Sequence, residues 1–534
     1  MSGVDSTGGV FLILLLFVVV FALLAQKLRT PYPIVLVIAG LVLSVTPGTP
    51  HIRLNPTLVF AVMLPPLLYS AAWLTSWNEF RRNLVSIVSA ACGLVGFTIL
   101  GIAVTAHWLF PGFDWRLGLV LGAVVAPTDA IAATAIASQV GLPRRIVDLL
   151  EGESLVNDAT GLLALEFSIA MVLGGTMPSI GTGLLRFVYL VAAGLGTGLI
   201  VATATAWIER WIDDGPIEIA ISLMVPYTAY LGAEAIDASG VLAVVACGLM
   251  LSRRSTELFS PAVRLQVYAA WNAVGFILNG VVFVLIGLQL PEVVHSLAGV
   301  TLPWLIAQGA ICSALVVALR LAWAFPGARL SYFIRRHFLH QSENRPSARE
   351  LLVFGWSGMR GVVSLAAAMA LPLVLPDGAP FPQRNLIVFL TFSVVVSTLV
   401  VQGLSLAPLI RALGLAEGSG PKPEVREAHR IVLQAALVHL EERRGSDRAE
   451  YAAVYDDLVQ HYRQRLDALS ETSDRTPATQ HYRKYRALSR ELLGVQRQAL
   501  LGLRHEGRIN DQTLRNLERD LDLQEARARP PAPR

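Results

Sequence analysis

The chain has 534 residues, 54% of them hydrophobic and 15% charged, against the roughly 25% charge of an ordinary soluble domain, which argues against a soluble enzyme. Of its 43 basic and 39 acidic residues, 21 and 19 fall in the last 120 positions, so an apolar body precedes a polar tail. The net charge of +4, mixed in sign, lacks the clustered basic face of a nucleic-acid binder.

Apolar runs long enough to cross the hydrocarbon core as helices fall at 10–26, 32–48, 56–74, 84–108, 116–138, 145–173, 184–208, 217–235, 239–252, 264–289, 301–325, 351–375 and 385–412. The expected architecture is an all-α polytopic membrane protein with thirteen transmembrane helices over 1–412 and a helical tail over 413–534. The eighth and ninth spans are barely separated, by the polar stretch around Glu234 and Asp237. The first run is followed directly by Lys27 and Arg29, whereas a cleaved signal peptide carries its basic residues before the run. Loops after odd-numbered spans hold fifteen basic residues, among them Arg81, Arg82, Arg144, Arg145, Arg335 and Arg336. The other loops hold four: Arg53, Arg116, Arg186 and Arg384. Basic residues stay on the cytoplasmic side, so the N-terminus is expected outside the cell (inner) membrane and the tail in the cytoplasm. Cys92, Cys247 and Cys312 lie in apolar stretches with no Cys/His spacing for a disulfide framework or a zinc site, and read as small core hydrophobes.

Two spans carry breaks. The fifth contains Ala126-Pro127-Thr128-Asp129, and the twelfth runs Gly355-Trp356-Ser357-Gly358-Met359-Arg360-Gly361. A proline without an N–H and three glycines in seven residues weaken both helices in mid-span. Being seven spans apart they run in opposite directions, which predicts two inverted six-helix repeats, one to six and eight to thirteen, with a transport site where the breaks cross.

An ionisable side chain in mid-bilayer costs at least ~2.5–3.5 kcal/mol and therefore needs a partner, a wet cavity or a function. Asp129 stands in span five, and Glu153, Ser154, Asn157 and Asp158 stand in span six. Ser154 and Asp158, four apart, share a helix face, while Asn157 is turned about 100° from Asp158. Asp158, Asp129, Ser154 and Thr128 offer the hard oxygens that replace the water shell of a small alkali cation. Arg360 is expected to pair with Glu153, since a guanidinium keeps its proton and must find an acid. Asn279 and Gln402 read as helix-to-helix hydrogen bonds, Glu166 as a candidate for an aqueous funnel, and His51 and His107 as interfacial. In the tail, breaks near Gly445-Ser446 and Thr476-Pro477 predict two or three amphipathic helices, with Val425, Ile431, Val432, Leu437 and Leu440 as an apolar stripe.

Four stretches in this order, Ala126-Pro127-Thr128-Asp129-Ala130, Gly152-Glu153-Ser154-Leu155-Val156-Asn157-Asp158, Gly280 to Leu290, and Trp356 to Val363, resemble the sodium/proton exchanger family in its bacterial monovalent cation:proton antiporter branch. The tail segment from Gly507-Arg508-Ile509-Asn510 to Asp522 is similar to bacterial tails of that branch. The resemblance implies an antiporter-type fold, a homodimer and an elevator in which a six-helix core slides against the dimerisation helices. It implies that Asp158 binds the cation and the proton in competition, that Asp129, Thr128 and Ser154 help coordinate the Na+, that Asn157 braces the unwound segment, and that Arg360 pairs with Glu153. Asn157, where the electrogenic branch has an aspartate, implies electroneutral exchange of one Na+ or Li+ for one proton, without a cofactor. In span three, Tyr69 and Ser70 stand where several exchangers carry an acid after the prolines, so no extra carboxylate is expected in the ion path there. Rival readings are a K+/H+ antiporter, a channel, and an intramembrane aspartyl hydrolase built on two aspartates. The hydrolase reading lacks a GxGD pattern and gives span twelve no role.

Overall fold

The computed structural model describes residues 2–28, 30–46, 56–174, 180–297, 300–340, 345–416, 423–446, 451–470, 477–506, 508 and 510–528. Contacts divide the chain into two compact units, Met1–Glu417 and Gly418–Arg534. Among the described residues the regular structure is helical, apart from one isolated bridge between Val374 and Pro380.

In the first unit each expected span coincides with a helical segment. These are α1 (Ser2–Leu28), α2 (Tyr32–Ser44), α3 (Pro56–Leu74), α4 (Trp77–Leu109), α5a (Trp115–Val125) and α5b (Ala130–Val140), α6 (Arg144–Val172), α7 (Ile180–Glu209), α8 (Gly215–Glu234), α9 (Gly240–Leu258), α10 (Pro261–Leu288), α11 (Leu302–His337), α12a (Ala348–Trp356) and α12b (Val362–Met369), and α13 (Arg384–Ala412). Eight helices of the described chain are long and apolar enough to cross a membrane by length and composition. Starts follow the capping chemistry that satisfies orphan N–H groups. Asp114 accepts from Leu117 N at 2.9 Å, Asp214 from Ile217 N at 3.1 Å, and Ser347 and Glu350 form a reciprocal capping box at α12a.

Several boundaries differ from expectation. α11 continues through Pro326 to His337 instead of ending at 325, so three of the arginines assigned to a loop lie on its last turns. α12b stops at Met369, and the chain then folds back through the Val374–Pro380 bridge. α2 ends at Ser44, while Arg29, His51 and Arg53 lie outside the described residues. Three helices contain a π-helical turn, at Val59–Met63 in α3, Ser89–Leu94 in α4 and Thr398–Gln402 in α13. Such turns insert one residue into the helical ladder and re-aim the faces beyond it.

Glycines set the closest helix approach to the site. A Cβ on Gly122 would lie 2.8 Å from Ile99 Cα, so α5a can rest directly on α4 and bring the first break deep into the bundle. All three cysteines are free, Cys247 and Cys312 buried and Cys92 partly so.

The second unit holds four helices among its described residues, one more than the upper expectation: α14 (Pro423–Ser446), α15 (Ala452–Ser470), α16 (Pro477–His505) and α17 (Asp511–Ala528). The expected breaks fall at the end of α14 and the start of α16, and a third interruption precedes α17, where Asn510 accepts from Thr513 N at 2.8 Å. The apolar stripe of α14 is corrected. Leu433 and Leu437 are buried whereas Ile431 and Val432 are exposed, because the buried face follows the i, i+4, i+7 positions 433, 437 and 440. Val425's side chain, Gly507 and Ile509 lie outside the described residues.

Candidate functional site

The two helix breaks meet in the middle of the first unit. Asp129 N donates to Met359 O at 2.8 Å, so each unwound segment satisfies part of the other. Asp129 also caps α5b, its Oδ1 accepting from Ile131 N at 2.8 Å. Gly361 packs against the Asp129 carboxylate, where any Cβ would collide with it. One amide freed from the second segment's helical ladder is taken up by a side chain, and the Arg360 side chain takes up two backbone carbonyls. Arg360 N donates to Thr398 Oγ1 at 3.1 Å on α13, Arg360 Nε to Val125 O at 3.0 Å, and Arg360 Nη1 to Gly358 O. Arg360 thus ties the end of α5a to its own break.

Glu153 is paired with Arg320 rather than with Arg360. Arg320 Nη1 and Nη2 reach Glu153 Oε1 and Oε2 at 2.5 and 2.8 Å, both side chains fully buried, and the guanidinium stacks 4.9 Å over the Phe354 ring. A planar fork meeting a carboxylate in parallel is the geometry in which a buried pair recovers its desolvation cost. Sequence reasoning missed Arg320, although the signal was there: a lone arginine inside the apolar run 301–325 must find an acid on a neighbouring helix. Arg360 had already been given that acid.

The same glutamate braces the first break. Thr128 Oγ1 donates to Glu153 Oε1 at 2.9 Å and accepts from Asn157 Nδ2 at 2.7 Å, while Asn157 Nδ2 also lies 3.4 Å from Thr128 O. Asn157 therefore contacts the unwound residue, and the chain Arg320–Glu153–Thr128–Asn157 links α11, α6 and the break. Ser154 Oγ accepts from Ala130 N at 3.2 Å, the first amide of α5b.

In front of this brace is a cavity of about 350 Å³. Asp158, Asp129, Ser154 and Thr128 all line it; Glu153, Asn157 and Arg360 do not. One wall is formed by α5b, α6 and α12b, and the other by residues of α2, α3 and α10 such as Tyr32, Ser70 and Trp271. Among the described residues its lining carries three carboxylates, Asp129, Glu151 and Asp158, and no lysine or arginine. Asp158 is 8% exposed and, among the described residues, accepts no hydrogen bond from the protein. A hard anionic oxygen with no donor from the protein, beside Ser154 and Thr128, is chemically suited to a small cation or a proton.

The remaining polar residues separate clearly. Ser70 faces the cavity with its hydroxyl bonded to Leu67 O at 2.8 Å, while Tyr69 turns into an aromatic cluster 4.8 Å from Trp271. Glu166 is exposed and lies 3.8 Å from Arg186. His107 Nδ1 lies 3.3 Å from Phe113 O at the end of α4. Gln402, expected to bond between helices, sits in the π turn of α13, and among the described residues neither of its amide atoms has a hydrogen-bond partner. Asn279 lines the cavity, and among the described residues its Oδ1 has no partner.

The family model for the transmembrane sodium/hydrogen exchanger matches residues 12–412. The chain belongs to the sodium/hydrogen exchanger family. The exchanger is 34% identical over 532 residues to an uncharacterized Na+/H+ exchanger of Mycobacterium tuberculosis, covering 96% of this chain and 95% of that one. It is 32% identical over 446 residues to a sodium, potassium, lithium and rubidium/H+ antiporter of Bacillus pumilus, covering 82% of this chain and 65% of the other. Its fold is similar to that of the sodium proton antiporter MjNhaP1 from Methanocaldococcus jannaschii, with a TM-score of 0.58 at 18% identity, covering 75% of this chain and 100% of that one. The exchanger is thus a multi-pass membrane protein and a cation/proton antiporter, and the hydrolase reading falls, since the family consists of secondary transporters rather than enzymes.

Proposed function

We propose that the exchanger trades one Na+ or Li+ for one proton per cycle, the two ions competing for the Asp158 carboxylate with Asp129, Ser154 and Thr128 as further oxygen ligands. The observation that carries this reading is that, among the described residues, the Asp158 carboxylate accepts no protein hydrogen bond and the cavity it lines carries no lysine or arginine. Either ion neutralises that carboxylate, and a neutralised site crosses an apolar barrier far more cheaply than an empty ionised one. Exchange is then obligatory. Asn157 supports the one-for-one ratio because it spends its amide on Thr128 and adds no charge beside Asp158.

The two walls of the cavity support an elevator, with α5, α6 and α12 carrying the site past α2, α3 and α10. Tyr32 at the start of α2, Leu74 at the end of α3 and Glu151 near the start of α6 line the cavity on the side where the sequence carries Lys27, Arg81, Arg82, Arg144 and Arg145, so we read this state as open to the cytoplasm. The N-terminus is then outside the cell membrane, thirteen spans and two inverted repeats cross it, and the tail is cytoplasmic. The exchanger is further read as a homodimer. α7, whose apolar window is only 17% buried, offers a surface for the second copy or for lipid.

Cation-induced proton movement in proteoliposomes tests the reading, with Na+, Li+ and K+ compared with and without a valinomycin potassium clamp. Proton movement driven by Na+ or Li+, insensitive to membrane potential and absent in Asp158→Asn, is the expected result. A dominant K+ response identifies K+/H+ exchange, a reading favoured by the ions for which the Bacillus relative is named. Dependence on membrane potential contradicts the one-for-one ratio.

A further inference from the structure

Among the described residues, the serines and threonines that line the transport cavity are Ser70, Thr128, Thr134, Ser154 and Ser364. Four of them have engaged hydroxyls. Ser70 Oγ donates to Leu67 O at 2.8 Å and Thr134 Oγ1 to Ile131 O at 3.2 Å. Thr128 Oγ1 is held between Glu153 and Asn157, and Ser154 Oγ accepts from Ala130 N at 3.2 Å. Ser364 is the exception. It is 1% exposed, and among the described residues its Oγ has no hydrogen-bond partner.

The break in span twelve accounts for this. A serine inside a helix ordinarily bonds back to a carbonyl three or four residues earlier. For Ser364 those residues are Gly361 and Arg360, which precede the first turn of α12b at Val362 and lie in the unwound segment, so no helical carbonyl is in place to accept. A buried hydroxyl left without a partner is costly, and a cavity wall that keeps one calls for an occupant that supplies the contact.

We propose that Ser364 Oγ is a further oxygen ligand of the transported cation, contributed by the second broken helix. Ser364 is three residues from Gly361, which packs against the Asp129 carboxylate, and it lines the same cavity as Asp158. Asp129 and Thr128 reach the cation from the first break, and Asp158 and Ser154 from α6. A small cation that must replace a whole water shell needs oxygens from a further side, and α12b offers this one. A neutral hydroxyl adds a ligand without adding charge, so it leaves one-for-one exchange intact. It also acts on the cation and not on the competing proton, which needs only a carboxylate. The inference rests on the reading of Asp158 as the shared ion site.

The test uses the full chain in proteoliposomes, as wild type, Ser364→Ala, Ser364→Cys, Thr134→Val and Asp158→Asn, reading the maximal rate and the half-maximal concentration for Na+, Li+ and K+. Both Ser364 variants should raise the half-maximal concentration of the transported cation by about tenfold or more, the scale on which a group supporting a bound metal acts. The maximal rate at saturating cation should be kept, and Thr134→Val, whose hydroxyl is spent on its own helix, should match wild type. Ser364→Ala removes an unpartnered hydroxyl and installs a better helix former, so its melting midpoint in cation-free choline buffer should equal or exceed that of wild type. A serine with a merely structural role would lower that midpoint, and this result overturns the ligand. If Ser364→Ala fails to fold, Ser364→Cys carries the comparison, since it keeps the volume and loses the hard oxygen. Unchanged half-maximal concentrations in the Ser364 variants with Asp158→Asn inactive overturn Ser364 and leave Asp158 standing, whereas uptake that survives in Asp158→Asn overturns both.

Discussion

The two faces of α6 divide the work of the exchanger. On one face Glu153 and Asn157 are 1% and 0% exposed, and the Glu153 carboxylate is held by Arg320 and Thr128. On the other, Glu151, Ser154 and Asp158 line the cavity, and among the described residues Asp158 has no protein donor. A few residues apart, two carboxylates thus have opposite fates. One is neutralised for good by a fixed arginine and serves as a strut. The other is left for a mobile cation, which a permanent partner would exclude. In this exchanger the open carboxylate stands beside a break that the closed one holds in place.

Breaking the strut should have the largest effect on folding. Glu153→Gln or Arg320→Met leaves a buried group without its partner, at a cost of about 3–5 kcal/mol, whereas replacing both by methionine should recover much of that loss. Melting midpoints in detergent check this, and singles that melt like wild type break the comparison. Gly361→Ala should come next, since its Cβ displaces the Asp129 carboxylate. Exchange should fall by about tenfold or more while the protein remains folded, the scale on which misplaced site groups act. Thr128→Val leaves Glu153 Oε1 and Asn157 Nδ2 each short of a bond, a cost of about 1–3 kcal/mol, and should raise the Na+ concentration for half-maximal exchange; Thr128→Ser should restore both.

The smallest effect is expected in the tail. Arg430 beside Glu427 holds that carboxyl below the ordinary carboxylate range. The pair's contribution is therefore present above the ordinary range and lost as pH falls through the lowered folded value. Being fully exposed, it should leave Glu427→Gln indistinguishable from wild type in exchange, with any difference in tail melting vanishing in acid.

The site was legible in the sequence wherever polarity stood out against an apolar run. Pro127 and the glycines around Arg360 announced the breaks, and the i, i+4 spacing put Ser154 and Asp158 on one face, now seen on one cavity wall. The partner of Glu153 was not read, because arginines at 320 and 360 both need an acid and spacing along the chain cannot say which helix packs on α6. Among the described residues the Arg360 guanidinium bonds instead to the backbone carbonyls of Val125 and Gly358. The π turns carry no periodic signature, so the surroundings of Gln402 within one could not be anticipated. In α14 the apolar residues outnumber the buried positions, and only packing distinguishes Leu433 from Val432.

The central claim, that cation and proton compete for Asp158, is tested most directly by Na+ uptake into proteoliposomes over a pH series. The account predicts that, once protons dominate the site, the Na+ concentration for half-maximal uptake rises about tenfold per pH unit of acidification while the maximal rate at saturating Na+ stays constant, and that Asp158→Asn shows no uptake at any pH. A half-maximal concentration that stays fixed while the maximal rate falls, or uptake that survives in Asp158→Asn, contradicts it.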